Sequence, residues 1–122
     1  MGNAQQRSSC DRNTERYVVS HAEDSWISFR DAEGETWQLP LLEISASGLK
    51  FGLDGGPAQL PEGLTLHDVT VRVDETEFCC DLCVSHVTAS ISTGAVCGAG
   101  FRCRTGPDQF ALVELIERLA AR

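Results

Sequence analysis

The chain has 122 residues, 42% hydrophobic and 23% charged, the composition of one ordinary globular domain rather than of a disordered tail. Its formal net charge of -8 at pH 7 argues against a general binder of nucleic acid polymers, which is driven by neutralising phosphates. No run of about 18 apolar residues exists, so no direct insertion into a membrane is expected. The polar first residues lack the apolar core of a secretory signal, and position 6 lacks the hydroxyl of a myristoylation site. The expected location is the cytoplasm, where six cysteines stay reduced.

In chain order, residues 1–15 show no periodicity and read as a flexible N-terminal arm, leaving 16–122 for the folded domain. The beginning of the chain is locally basic, with Arg7, Arg12 and Arg16 set against Asp11 and Glu15. Lys50 is the only lysine, so arginine supplies every other cation, and arginine suits bidentate recognition of phosphate. Tyr17, Val18 and Val19 can begin a strand, and Ser25 to Arg30 is a second β-prone segment. Asp31-Ala32-Glu33-Gly34 supplies a hairpin turn into Glu35 to Ile44, where Pro40 predicts an edge or a bulge. Gly48 to Leu53 is another strand, ended by Asp54-Gly55-Gly56-Pro57.

Leu64 to Val73 alternates but changes phase near His67 and Asp68, and Thr76 to Ala89 slips near Ser85 and His86. Each slip predicts a β-bulge or bend. Ala95 to Cys103 closes the sheet. The period then changes: Thr105, Gly106, Pro107 and Asp108 start a helix, with an apolar stripe at Leu112, Val113, Ile116, Leu119 and Ala120. Six or seven short antiparallel strands followed by one amphipathic helix describe a mainly β protein, a small barrel with a C-terminal α-helix.

Cys80-Asp81-Leu82-Cys83 has zinc half-site spacing, and Cys97 with Cys103 could complete it. Strand alternation, however, points Cys80 and Cys83 to opposite faces, and buried thiols are the default. No histidine stands at hydrolase spacing from a nucleophile, so no catalytic residue, metal ligand or cofactor is assigned and no enzyme is expected.

Two elements remain that carry chemistry. Arg12-Asn13-Thr14-Glu15-Arg16 sets two guanidinium groups four residues apart, on one face of a helical turn or about 13 Å apart on an extended arm. Glu43-Ile44-Ser45-Ala46-Ser47-Gly48 sets an acid, two hydroxyls and a glycine between two strands, which on its own reads as a tight turn. A carboxylate such as Glu43 can accept two parallel hydrogen bonds from the N1–H and N2–H₂ edge of guanine. Gly48 permits positive φ or a close approach of a ring to the backbone.

An Arg-x-x-x-Arg arm about thirty residues ahead of an acid-x-Ser-x-x-Gly turn, on a small barrel with a C-terminal helix, resembles the bacterial PilZ domain. The resemblance runs from about Arg12 to Leu119 and includes Cys97-Gly98-Ala99-Gly100-Phe101-Arg102, similar to the family's Gly-x-x-Phe segment. It implies a receptor for cyclic di-GMP. Arg12 and Arg16 would hold the phosphates and stack on guanine, while Glu43, Ser45 and Gly48 would receive a guanine edge. It further implies that the arm folds onto the barrel as ligand binds and that the signal passes to a partner protein. The family prefers Asp or Asn where this chain has Glu43, a departure of one methylene. The alternative implied by the same resemblance is an adaptor that takes no nucleotide and acts by protein–protein contact.

Overall fold

The computed structural model describes residues 15–19, 24–53, 60–90 and 94–121. They form seven strands: β1 (Tyr17–Val18), β2 (Ser25–Arg30), β3 (Thr36–Ile44), β4 (Gly48–Gly52), β5 (Thr65–Val73), β6 (Thr76–Ser90) and β7 (Gly94–Arg102). One helix, α1, spans Gly106–Ala120. All pairings are antiparallel in the order β1-β3-β2-β5-β6-β7-β4, and β4 also pairs with β3. Six strands thus close into a barrel, leaving β1 as an extra strand beside β3. Closure leaves the barrel strands with no free edge, which suits strands this short.

Alternation fills the barrel. Ile27, Phe29, Leu39, Leu41, Ile44, Leu49, Phe51, Val69, Val71, Val73, Phe78, Leu82 and Val84 are buried. Phe29 meets Phe51 edge-on with ring centroids 6.3 Å apart, so the aromatic contact spans β2 and β4 through the interior.

Both expected phase changes are register shifts. One lies between Leu66 and Val69, with Asp68 at φ 55°, and the other between Val84 and His86. A third shift, between Leu41 and Glu43, follows Pro40, the residue that predicted an irregularity here. The β2–β3 turn is built by Asp31, whose Oδ1 accepts from Glu33 N–H and Glu35 N–H at 2.9 Å each. Its Oδ2 accepts from Trp37 Nε1–H at 2.8 Å. These bonds hold the Asp31 carboxyl below its usual range, the Trp37 bond contributing most.

Helix α1 begins as the sequence predicts. Thr105 caps it by accepting from Asp108 N–H at 3.2 Å, and Asp108 Oδ1 accepts from Cys79 N–H at 3.0 Å, fastening the first turn to β6. The apolar stripe needs correction. Leu112, Leu115 and Leu119 are buried, whereas Val113 and Ala120 face outward. Two overlapping stripes share helical spacing in this segment, and packing on the barrel selects the one built of three leucines.

Candidate ligand-binding site

Strand β1 sets the geometry at the far end of β3. Tyr17 lies opposite Ile44, Val18 opposite Glu43, and Val19 N–H donates to Leu42 C=O at 2.9 Å. Arg16, which is exposed, directly precedes this strand, just beyond the Tyr17–Ile44 pair. Two apolar anchors hold that register, Val19 in the core and Tyr17 packed against it. Arg12, the other expected arginine, lies outside the described residues.

The Ser45–Gly48 turn is rigid for an identifiable reason. Ser45 N–H donates to Gly48 C=O at 2.8 Å, and Ser45 Oγ accepts from Ser47 N–H at 3.2 Å and Gly48 N–H at 3.1 Å. The same hydroxyl lies 3.2 Å from Gly48 C=O, to which it donates. A side-chain oxygen here replaces a backbone acceptor, which is how serine shapes tight turns. Ser45 is buried, so its hydroxyl serves the turn that displays Ala46 and Ser47. Ser47 C=O accepts from Phe101 N–H at 3.0 Å, which fastens the turn to β7.

Gly48 is a glycine because β7 passes over it: a Cβ there would lie 2.6 Å from Ala99 O. The positive-φ glycines among the described residues are Gly34, Gly63 and Gly94. Of the two properties expected of Gly48, close approach is the one in use, and the approaching group is backbone.

A cross-strand row runs outward from the same turn: Val18, Glu43, Lys50, Gly98 and His86 are successive partners across β1, β3, β4, β7 and β6. Glu43 and Lys50 are half-buried, and neither enters an ion pair among the described residues. At the end of the row the His86 ring occupies the space a side chain at Gly98 would need, with Cε1 2.5 Å from the position of a Cβ. Gly98→Ala is therefore expected to displace His86 into solvent, visible as a shift of its imidazole NMR resonances. Unmoved resonances would contradict the contact.

No family model and no curated protein matches the sequence. Solved structures do match. The PilZ domain of YcgR from Escherichia coli with c-di-GMP is similar over 90% of this chain and 92% of that one, at 15% identity and TM-score 0.71. The MrkH–c-di-GMP complex from K. pneumonia is similar over 90% of this chain, at 21% identity and TM-score 0.79. MotI/DgrA, the inhibitor of motility of Bacillus subtilis, is similar over 88%, at 16% identity and TM-score 0.68. The fold is that of a PilZ domain. The chain spans about half the length of MrkH, 52%, and half that of MotI/DgrA, 50%.

Within this PilZ fold, Glu43 near the end of β3, Ser45 in the turn and Gly48 at the start of β4 lie at one end of the barrel wall, with β1 running beside Glu43. An open cleft of about 530 Å³ lies elsewhere, between the β5–β6 turn and α1, lined by Glu75, Thr76, Glu114, Glu117, Arg118 and Ala121. Three carboxylates against one guanidinium make it a poor host for an anionic ligand.

Cys80 is buried and Cys83 exposed, as strand alternation requires, and among the described residues no group of three metal-ligating side chains is placed to hold an ion. Burial pushes the Cys97 thiol up to about 11 and raises that of Cys80 as well, so neither offers a thiolate.

One polar cluster has no counterpart in the sequence analysis. Asp81, 8% exposed, accepts from Arg104 Nε at 2.9 Å and Nη2 at 2.8 Å, and from Asp68 N–H at 3.1 Å. Arg104 Nη2 also lies 3.3 Å from Asp68 Oδ1, and His67 Nδ1 lies 3.6 Å from Asp81 Oδ2. The cluster seals the β5 bulge and pins the link between β7 and α1. The available signal was the phase change at His67 and Asp68, which marks a bulge with a backbone amide to satisfy.

Proposed function

We propose that the chain is a receptor for cyclic di-GMP that catalyses no reaction. The observation that carries this reading is the β1–β3 register, Tyr17 opposite Ile44 and Val18 opposite Glu43, which runs β1 beside Glu43 with Arg16 the next residue along the chain. The PilZ fold supports it, because similar structures of that fold are complexes with c-di-GMP. Glu43 accepts from a guanine N1–H and N2–H₂ edge, and Arg16, joined by Arg12 from the arm, binds phosphate and stacks on a base. Ser45 and Gly48 act by holding the turn, the hydroxyl through its bonds within it and the glycine by admitting the β7 backbone. The signal passes to a partner protein; of the arm expected at 1–15, residues 1–14 lie outside the described residues.

Calorimetric titration of the chain with cyclic di-GMP is expected to give binding in the micromolar range, and absence of heat at high protein concentration removes the reading. Arg12→Ala and Arg16→Ala are each expected to weaken binding by about tenfold or more, the worth of one charge-assisted contact. Glu43→Asp restores the shorter acid typical of the resembled family and is expected to bind more tightly.

The second reading is a PilZ-like adaptor that takes no nucleotide. It is favoured by Phe110 and Val113, 64% and 44% exposed at neighbouring positions on the outer face of α1. An amide NMR spectrum unchanged by nucleotide, together with loss of a partner contact in Phe110→Ser, would decide for it.

A further inference from the structure

Resting on the cyclic di-GMP reading, we infer that Lys50 is a specificity-determining residue: it donates to guanine O6 while Glu43 accepts from N1–H and N2–H₂ of the same base. Glu43 and Lys50 are direct cross-strand partners, which sets their Cβ atoms about 5 Å apart on one face of the wall. Both are half-buried, and neither is paired with the other or with a third group among the described residues. The register shift between Leu41 and Glu43 re-aims the strand immediately before the acid, as bulges do beside binding sites.

The Watson–Crick edge of guanine presents one acceptor followed by two donors, the complement of an ammonium beside a carboxylate. Adenine presents an amino donor and a ring-nitrogen acceptor there, so its donor faces the ammonium and its acceptor faces the carboxylate. The pair therefore favours guanine twice, by bonds made and by bonds denied to adenine. A phosphate is the wrong guest at Lys50, because it would bring an anion against Glu43, whereas a neutral base edge is repelled by neither. Val18 and the His86 ring over Gly98 bound the row on its two sides and leave the acid and the ammonium as its charged centre.

The test uses the full chain and its Lys50→Met variant, which keeps the stem and loses the donor. Affinities for cyclic di-GMP and cyclic di-AMP are measured by competition against a fluorescent cyclic di-GMP, with thermal unfolding as the check on folding. Lys50→Met is expected to melt like the parent, to lose about tenfold in affinity for cyclic di-GMP, and to lower the guanine-over-adenine ratio by a similar factor. An unchanged ratio, whether from no loss or from equal loss for both nucleotides, overturns the assignment; equal loss would place Lys50 on the phosphates. A parent chain that binds neither nucleotide refutes the receptor reading itself, and the role of Lys50 with it.

Discussion

Gly48→Ala is expected to destabilise the barrel by about 2–3 kcal/mol and to weaken cyclic di-GMP binding at least tenfold. The added methyl would sit 2.6 Å from Ala99 O and 3.5 Å from Gly100 Cα. Both are backbone atoms of β7, so no side chain can rotate aside. Relief requires β4 and β7 to part at the Gly48–Gly100 pair, beside the point where Ser47 C=O holds Phe101 N–H. Parting there loosens the turn that carries Ser45, and so a change outside the ligand contacts reaches the site. Gly34→Ala is the contrast. It forces φ 86° on a residue with a Cβ, yet nothing lies within 4 Å of that Cβ, so it is expected to cost about 1 kcal/mol and leave binding intact. Denaturant titration and calorimetry on both variants check the pair. Equal stability of Gly48→Ala and the parent would show that β4 and β7 have slack the structure denies.

The features that sequence made visible are local. Breaks in alternation at His67–Asp68 and Ser85–His86 became bulges, because a slipped period leaves a trace within a few residues. The helix start was visible because capping is confined to Thr105–Asp108. Ser45 and Gly48 stood out as turn residues, yet what each does lies partly across the barrel: β7, about fifty residues later, dictates the glycine. The outer row was not visible. Lys50, Gly98 and His86 become neighbours only when β4, β7 and β6 pair in register, and spacing carries no such information. The same holds for the Asp81–Arg104 pair, 23 residues apart, in which Asp81 resembled part of a cysteine motif rather than the centre of an ion cluster. The helix stripe failed for a different reason. Periodicity reported an apolar face but not which of two overlapping faces the barrel would take.

The β5 bulge explains why an acid is tolerated buried on the outer wall of β6, on the face opposite Cys80 and Leu82. Asp68 in the left-handed region takes its N–H out of the β5–β6 ladder, and Asp81 is the acceptor that satisfies it. An acid placed there needs a counter-charge, which Arg104 supplies through two parallel bonds while half-exposed itself. The wet side of that guanidinium keeps the net worth of the pair near the low end for charged hydrogen bonds.

Asp81→Asn is therefore expected to cost about 2 kcal/mol at pH 7, and the cost should shrink as the solution is acidified. Hydrogen bonds from Arg104 above all, and from Asp68 N–H, hold the Asp81 carboxyl down at about 2, against partial opposition from burial, while the ordinary value is 3.8. A carboxyl lowered on folding binds fewer protons in the native than in the unfolded chain. Its contribution to stability is thus fully present above about pH 4 and is lost as pH falls toward 2. Asparagine carries no such titration, so the two unfolding curves should converge in acid while remaining separated at neutral pH. Asp108, lowered by its bonds to Thr105 and to Cys79 N–H, titrates in both proteins and gives them a shared acid limb. Urea titrations of parent and variant between pH 7 and pH 2.5 measure the gap directly. A gap that stays constant across that range would mean that Asp81 contributes through packing and not through its charge.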